Sequence, residues 1–332
     1  MSIKNLIQIS LLRKPDCRLA VRFFGSWSKY VKIFLYVIII QINTSCSTLP
    51  AVSADDGLPS VFLNIESISP LWRHFADGVG FFHGRIETPS LEFWALKIDL
   101  SAENITVVTG SGGITSAENA VSVKVSGFVR ENNLIAGINA VPFDIITARE
   151  GEPIRNMGII ISDGVRLSPA NPYYDALVFY RAPQSDNEKP GESLEYTRAA
   201  IVRQSSIQSG ENIENAVGGF YQILTDGEPA QRTLTGNARH PRSAAGVSDN
   251  GGHLYFLVID GRRTGSIGST EYETAVIMRK LGCRDVINFD GGGSSALALR
   301  FQDGSVRAVN TPVHFFTGQE RAVAGCIGIR IE

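Results

Sequence analysis

The sequence predicts an α+β fold, in which a strand-rich mixed sheet with a few covering helices forms a single domain. The 332-residue chain contains 33 glycines, most of them in turn-like positions, which favours many tight connections. Short runs of β-branched and aromatic residues recur between Gly, Asp and Asn turns, as strands do. One segment, from Thr270 to Leu281, carries helix signals instead and lies between two such runs.

Composition limits the classes of function and partner. Apolar residues make up 43% of the chain and charged residues 19%, which is ordinary for a globular protein with a substantial core. The net charge is −2, and no basic stripe alternates with aromatic residues, so nothing favours a nucleic-acid partner. No protein partner is predicted either.

The amino end is typical of a targeting segment. Val31 to Ile42 is almost entirely apolar, but it is shorter than the roughly 20 residues that cross a bilayer. Small residues precede Cys46, as at a lipoprotein cleavage site. We therefore predict a signal and lipoprotein segment at 1–46 with lipid on Cys46, a polar linker at 47–60 and a folded domain at 61–332.

This prediction implies an exported protein, anchored to the cell envelope by lipid. Asn43 occupies a position where a bulky aliphatic residue is usual. Ordinary cleavage, giving a periplasmic or secreted protein, and a retained amino-terminal anchor therefore stay open as alternatives. Residues 1–30 are long and basic for such a segment, so translation could also begin at Val31.

The first half of the domain reads as a series of strands separated by turns. The Ser162-Asp163-Gly164 sequence is a hairpin signal, and the polar stretch 181–195 is typical of a surface loop. Strands are predicted at 93–100, 105–108, 134–139, 157–161, 199–202 and 219–224.

The second half has sharper signals. A hairpin is predicted from 242–247 and 253–260, followed by a helix that begins with a Thr270/Glu273 capping box and ends at Gly282. Further strands are predicted at 286–289, 296–301 and 322–331. A right-handed crossover would place the strands on either side of the helix in one sheet, as neighbours with their carboxyl ends at the same edge.

The stretch VINFDGGGSS, from Val286 to Ser295, lies at that edge. It is a strand that ends in an acid and a glycine turn, whose successive N–H groups can form a concave anion site. The plainer interpretation is a glycine-rich hairpin whose Asp satisfies only turn amides. If the strand ends meet, they bring together Asp260, Arg262, Asn288, Asp290, Gly291, Gly292, Gly293 and Ser294.

The charged residues near these strand ends suggest a chemistry. The carboxylates are Asp260, Asp290 and Glu320, and the guanidiniums are Arg242, Arg262 and Arg321. Arginine binds phosphate in a bidentate manner, and paired carboxylates suit glycosyl transfer. A phosphodiester is a good leaving group, so arginines that hold its charge can replace a strong general acid. The alternative is a set of ordinary surface ion pairs.

Other motifs are weak. No phosphate-binding P-loop is present, a glycine-serine sequence near 294 lacks the helix that a nucleophile elbow needs, and the five histidines lack metal-site spacing. No cofactor is predicted; a divalent cation at Asp290 stays an open alternative without a ligand set. Cys283 and Cys326 could form a disulfide after export or remain buried thiols.

At this point the sequence resembles the phosphodiester glycosidase family. The resemblance rests on NFDGGGS at 288–294 together with an upstream DGR at 260–262 and RSAAG at 242–246, and it extends from about Trp72 to Ile331. It implies an α+β domain that removes an α-linked sugar from a phosphodiester, without an organic cofactor. Carried over by position, it implies these site residues: Asn139, Arg242, Asp260, Arg262, Asn288, Asp290 and Arg321.

We therefore predict an exported glycosidase that acts on a sugar-1-phosphodiester, with a GlcNAc-like sugar, in envelope or extracellular glycans. Asp290 is the first choice for the reacting centre, with Asp260 or Glu320 second. Arg242 and Arg321 would hold phosphate, and Asn139 and Asn288 the sugar hydroxyls.

The chain departs from the family at 140–143, where Ala-Val-Pro-Phe replaces small glycines and an aromatic residue, so the sugar pocket could differ in shape. Two alternatives remain. One is a non-catalytic carbohydrate-binding lipoprotein of exopolysaccharide biogenesis; the other is a phosphodiesterase that cleaves the P–O bond.

Overall fold

A computed structural model describes residues 61–114, 116, 119–144, 149–181, 197–208 and 212–332. They belong to one compact unit, Pro50–Glu332. The predicted signal segment with Cys46, the whole 47–60 linker and most of the 181–195 loop lie outside the described residues. Within the described ranges, no helix is both long and apolar enough to span a bilayer.

The described residues form two α-helices, α1 (Val125–Glu131) and α2 (Glu271–Leu281). They also form the strands β1 (Val61–Leu63), β2 (Arg73–Ala76), β3 (Val79–Ile86), β4 (Leu91–Asp99), β5 (Ile105–Gly110), β6 (Asn119–Val121), β7 (Ala136–Asn139), β8 (Pro153–Arg155), β9 (Ile160–Ser162), β10 (Val165–Ser168), β11 (Asp175–Arg181), β12 (Thr197–Arg203), β13 (Ile213–Gly218), β14 (Tyr221–Thr225), β15 (Glu228–Pro229), β16 (Arg242–Val247), β17 (His253–Ile259), β18 (Asp285–Asn288), β19 (Leu297–Arg300), β20 (Val306–Ala308) and β21 (Cys326–Ile331).

Nine of these strands form one large sheet in the order β1-β3-β4-β17-β16-β18-β14-β15, with β2 paired to β3. The β1–β3 pair is parallel and the others are antiparallel, so the sheet is mixed, as expected. Two five-stranded sheets have the orders β20-β19-β7-β21-β5 and β10-β9-β13-β11-β12. The prediction of a strand-rich fold with few helices is confirmed.

The large sheet is apolar on both faces. Successive side chains along a strand point to opposite faces, and in this sheet both sets are apolar. In β17, Leu254, Phe256 and Val258 join a core shared with residues of both five-stranded sheets. The intervening Tyr255 and Leu257 face the opposite side and pack with residues of α2. The sheet is therefore buried between a helix layer and a second strand layer, which explains its continuous apolar runs.

Helix α2 begins and ends where the sequence predicts. The Thr270 hydroxyl accepts from the Glu273 N–H at 3.1 Å, and the Glu273 carboxylate accepts from the Thr270 N–H at 3.0 Å, forming the capping box. Gly282 ends the helix with φ 113°, a left-handed conformation that glycine adopts without steric cost. The prediction that this helix is largely covered is also confirmed, because Ile277 and Leu281 are buried.

Strands β17 and β18 flank α2 along the chain and end at the same edge of the large sheet. Both pair antiparallel with β16, so they run in the same direction. The same-edge prediction is thus confirmed, but the expectation that they are neighbours is wrong. Strand β16 lies between them, and its first residues, beginning at Arg242, join the same edge.

Some elements have no clear signal in the sequence. Helix α1 has the sequence VSGFVRE, which is rich in weak helix formers. Its Phe128 and Val129 are buried against residues of β19 and β21, including Ala298 and Cys326. Tertiary packing therefore stabilises this short helix where its local propensity does not.

Cys283 and Cys326 are both free and buried. Cys283 packs in the apolar cluster beside α2, and Cys326 in the cluster beside α1. Burial raises the pKa of both thiols, which keeps them unreactive. The disulfide alternative is therefore not the one that the structure adopts.

We expect both thiols to react with an alkylating agent in denaturant without reductant, and neither to react in the folded protein, because each is buried. Peptide mapping by mass spectrometry measures the modification. Recovery of a peptide that links Cys283 to Cys326 would contradict the assignment.

Candidate functional site

Asn139, at the end of β7, is fully buried where two sheets meet. Its Nδ2 donates to the backbone oxygen of Asp290 at 2.6 Å. Its Oδ1 accepts from Ser243 Oγ at 2.7 Å and from the Ala296 N–H at 3.1 Å. The side chain is enclosed and engaged with protein, so it positions Asp290. The sequence had suggested that Asn139 binds sugar hydroxyls, but its amide is not exposed to them.

Asp290 follows β18 and is partly exposed. Protein atoms nevertheless crowd its carboxyl, and this burial raises its pKa to about 6. Hydrogen bonds from Ser294 and from the Gly291 N–H, together with the charge of Arg321, lower the pKa without cancelling the effect of burial. A carboxyl that titrates near pH 6 is suited to catalysis close to neutral pH.

The glycine turn after Asp290 is compact. Gly292 has φ 62° and its N–H donates to the Pro241 oxygen at 2.9 Å. The N–H groups of Ser294 and Ser295 donate to the oxygens of Gly291 and Gly292 at 3.2 and 3.3 Å. These amides are occupied by backbone carbonyls, so they do not form the anion site that the sequence suggested.

Arg321 lies beside this turn. Its Nη1 donates to Ser294 Oγ at 3.2 Å and its Nε to His314 Nδ1 at 3.0 Å. Burial and the charge of Arg321 lower the pKa of His314. Because Nδ1 accepts from Arg321, the proton of the neutral imidazole is on Nε2. Ser294 thus connects Arg321 to Asp290, and His314 fixes the guanidinium from the other side.

Arg262 lies over the glycine turn. Its backbone has φ 59°, which is uncommon for a residue with a side chain. Its exposed guanidinium is 3.4 Å from His240 Nδ1 and 3.1 Å from where a Cβ on Gly292 would be. Burial is the main effect that lowers the pKa of Arg321; the charge of Asp290 raises this pKa, and the charge of Arg262 lowers it. The Arg321 guanidinium therefore acts on the Asp290 carboxyl, and Arg262 acts on Arg321 from above the glycine turn.

Asp260 has a different environment from the one expected. It is 1% exposed and accepts from Asn310 Nδ2 at 2.9 Å, from the Thr311 N–H and from Arg263 Nε at 2.7 Å. Burial raises its pKa, and these partners lower it. Arg263 also pairs with Glu92. Asp260 is thus fully engaged in a buried network, which indicates a structural role instead of a catalytic one.

Glu92 completes this network. Burial opposes its ionisation, but hydrogen bonds from His83, Arg263 and Arg85 prevail and lower its pKa to about 2. Arg85 Nε and His83 Nε2 are each 2.9 Å from its Oε1. Arg263, which follows the DGR motif, is the arginine that neutralises both Asp260 and Glu92.

Glu320 points away from Asp290. Its Oε2 accepts from the Ser126 N–H at 3.1 Å, in the first turn of α1. A carboxylate is favourable there because helix N–H groups lack intrahelical partners. Consecutive residues therefore face different elements: Glu320 contacts α1, and Arg321 contacts the Asp290 turn.

The Arg242 guanidinium does not lie at the glycine turn but in another cleft, which we call the second cleft. Its Nη1 is 3.5 Å from Glu271 Oε1, which also accepts from Tyr221 OH at 2.8 Å. The cleft, of about 500 Å³, is lined by Tyr221, Arg232, Thr235, Gly236, Ala238, His240, Arg242 and Glu271. A separate, open cleft of about 630 Å³ is lined by Arg262, Arg263, Thr264, Thr311 and Thr317.

Asn288 is 3% exposed and lies between Tyr221 of β14 and Ala244 of β16. Its Oδ1 is a buried acceptor without a hydrogen-bond partner in the described part of the chain. Leaving such an atom unpaired costs about 1–3 kcal/mol. The sugar contact that the sequence suggested for Asn288 stays a prediction, because this oxygen is enclosed by protein.

The structure thus brings together only part of the predicted set. Asp290, Ser294, Arg262 and Arg321 meet at the glycine turn, whereas Asp260 and Glu320 are engaged elsewhere and Arg242 lies in the second cleft. His240 and His314 contact these guanidiniums and were not predicted. No three His, Cys, Asp or Glu residues in the described ranges gather as a metal-ion site.

We expect Asp260→Asn to lower the free energy of unfolding by about 3 kcal/mol, because it breaks a buried ion pair. Asp226→Asn is a matched control: Asp226 pairs with Arg284 at 2.6 Å on the surface, so its loss should cost less than about 1 kcal/mol. Urea denaturation measures both. Equal, small losses would contradict the structural role of Asp260.

The comparisons with known proteins agree with this fold. A zebrafish N-acetylglucosamine-1-phosphodiester alpha-N-acetylglucosaminidase catalytic domain, auto-inhibited by its pro-peptide, superposes with a TM-score of 0.57 at 18% identity, covering 82% of this chain and 87% of that one. A hypothetical protein from Synechocystis gives a TM-score of 0.51 at 15% identity over 77% of this chain and 63% of its own. At these identities the likeness concerns the fold.

The sequence comparisons are more specific. The SPbeta prophage-derived uncharacterized protein YomE of Bacillus subtilis (strain 168) is 29% identical over 198 residues, which are 53% of this chain and 30% of that protein. The chain therefore spans under a third of that relative's length. The model of the family described as phosphodiester glycosidase matches residues 132–330. The chain belongs to the phosphodiester glycosidase family.

Proposed function

We propose that the protein hydrolyses the glycosidic bond of a sugar-1-phosphodiester, and that the reaction takes place at Asp290. The observation that carries this proposal is a carboxyl whose pKa is raised to about 6 and which lies beside the Arg321 guanidinium, with Arg262 over the adjoining glycine turn. In its ionised form, Asp290 would stabilise the positive charge that develops on the anomeric carbon. Family membership supports the same reaction class.

The leaving group determines what else the site needs. When the bond between the anomeric carbon and the phosphate oxygen breaks, its electrons remain on the phosphate as a phosphomonoester; water then bonds to the anomeric carbon and gives up a proton, which yields the free sugar. Arg321 and Arg262 would hold that charge with preorganised donors. This division of labour requires no second free carboxylate, which fits the occupied oxygens of Asp260 and the contact of Glu320 with Ser126 in α1.

The same occupied carboxylates favour a second candidate, a carbohydrate-binding protein without catalysis. Glycoside hydrolysis ordinarily uses two carboxyl groups, and here only Asp290 among the predicted acids faces the glycine turn. The products separate the candidates. Free sugar and phosphomonoester support the glycosidase, and sugar phosphate and alcohol indicate P–O cleavage. If no product forms, the carbohydrate-binding protein is the candidate that remains.

We expect a synthetic GlcNAc-α-phosphodiester to be hydrolysed with kcat/KM rising as the pH increases through about 6, because Asp290 acts as the carboxylate. Asp290→Asn should lower turnover by at least about 100-fold. Asp285→Asn is the matched control at the other end of β18. Chromatography of the products and a pH profile measure the effect; near-normal activity of Asp290→Asn would reject the assignment.

The same variant also has a stability signature. Folding raises the pKa of Asp290 above its ordinary value of 3.8, so the folded state binds the proton more tightly. Folding is therefore favoured by protonated Asp290, and this contribution is lost as the pH rises from about 4 to about 6. The free energy of unfolding of Asp290→Asn should accordingly exceed that of wild type at pH 7.5 but not at pH 4. The same unfolding measurement shows whether the variant is folded.

We further propose that the protein is exported and held at the cell envelope by lipid on Cys46, where its substrates would be envelope or extracellular glycans. The apolar segment and small residues before Cys46 support this location. Cys46→Ser in the full chain should move the protein from the membrane fraction to the soluble fraction, as measured by fractionation and immunoblotting. Unchanged membrane association would contradict lipidation at this residue.

A further inference from the structure

We propose that the second cleft is an anion subsite, which binds a further phosphate group of the same substrate. This inference rests on the proposed function and concerns the part of the substrate beyond the scissile phosphodiester. Its residues are those of the cleft defined by Arg232, Arg242, Tyr221, Glu271 and His240. None of them contacts Asp290 in the hydrogen bonds described above.

His240 contacts residues of both clefts. It lines the second cleft, and its Nδ1 is 3.4 Å from Arg262, which lines the first. Burial lowers the pKa of His240, and the charges of Arg242 and Arg262 lower it further, because the ring lies between them. Cationic groups therefore follow one another from Arg321 beside Asp290, through Arg262, to Arg242.

Arg232 extends this series at its far end. Its guanidinium lies over the Tyr221 ring, 3.0 Å from the ring centre, an arrangement that restricts the side chain. The charges of Arg232 and Arg242 both act on Tyr221, whose pKa is raised by burial and by Glu271. The planar donor edge of a stacked guanidinium remains available to an oxyanion.

The charges along this series are not balanced. Within the described residues, Arg232, Arg262 and Arg321 have no carboxylate oxygen within 4 Å, whereas Arg242 pairs with Glu271. Arg263, next to Arg262, shows the contrast because it pairs with both Asp260 and Glu92. Guanidiniums that lack carboxylate partners and lie in series along two clefts, with His240 in contact with Arg262 between them, match a ligand with more than one phosphate.

Two kinds of substrate carry this chemistry. One is a nucleoside diphosphate sugar, with its phosphates in direct succession; the other is a glycan with repeated phosphodiester links. Both would place one phosphate near Arg321 and Arg262 and another near Arg242 and Arg232. The shared requirement is a second anionic group, and hydrolysis of each substrate distinguishes the two sources.

The first test measures binding alone. Calorimetry with inorganic phosphate and with tripolyphosphate, at one ionic strength, should show that wild type binds tripolyphosphate at least about 10-fold more tightly, since two sites are filled together. Arg232→Gln should remove about 10-fold of that affinity, and phosphate should still bind at the site beside Arg321 and Arg262. Arg307→Gln is the matched control, because Arg307 stacks on Phe301, 4.1 Å from the ring centre, and lines neither cleft.

The second test measures hydrolysis. Arg232→Gln should raise KM about 10-fold for UDP-GlcNAc or for a phosphodiester-linked oligomer, with kcat kept, and leave the kinetics of a methyl phosphodiester of the same sugar unchanged. If no substrate is hydrolysed but tripolyphosphate binding still depends on Arg232, the subsite stands and the proposed function fails. Equal affinities for phosphate and tripolyphosphate, or equal tripolyphosphate binding by wild type and Arg232→Gln, would overturn the subsite.

Discussion

The hydrogen bonds of Asn139 are the constraint on which the arrangement of the site depends. Its single side chain joins a five-stranded sheet to the large sheet, holding the Asp290 carbonyl at 2.6 Å and Ser243 at 2.7 Å. The Asp290 N–H is held as well, by the Ala140 oxygen at 2.9 Å. Both backbone polar groups of Asp290 are therefore fixed by the opposite sheet, and its carboxyl is the part of the residue that these bonds leave unengaged.

The roles of the buried carboxylates follow from the partners that surround them. Asp260 and Glu92 share Arg263 and several neutral donors, so their charges are neutralised inside the protein. Asp290 receives only Ser294, one amide and a more distant Arg321, and burial then dominates its pKa. Equal residue types at strand ends thus divide into a structural pair and a chemically poised group.

Much of the fold could be predicted because its signals are local. The capping box at Thr270 and the strand runs on either side of α2 depend on neighbouring residues alone, and they placed Asp290 at the correct edge of the sheet. Helix α1 was missed because packing of Phe128, not propensity, stabilises it. The position of β16 between the two strands depends on long-range pairing, which periodicity does not report.

Roles within the site were harder to predict than its location. The DGR motif draws attention to Arg262, yet Arg263 is the residue that binds Asp260. The direction in which Glu320 points depends on α1, an element that the sequence did not reveal. His240 and His314 gave no motif, because their partners Arg262 and Arg321 are 22 and 7 residues away in the chain and their roles arise only from contact.

The contact between Gly293 and Arg321 has a consequence for how this cleft could change. A Cβ at position 293 would overlap the Arg321 guanidinium and approach the Val313 oxygen at 3.1 Å. The Arg321 guanidinium therefore occupies the space that a side chain at position 293 would fill. Even an alanine at this position would displace the guanidinium. The position of Arg321 beside Asp290 therefore depends on the absence of a side chain at position 293, and not on the charged residues alone.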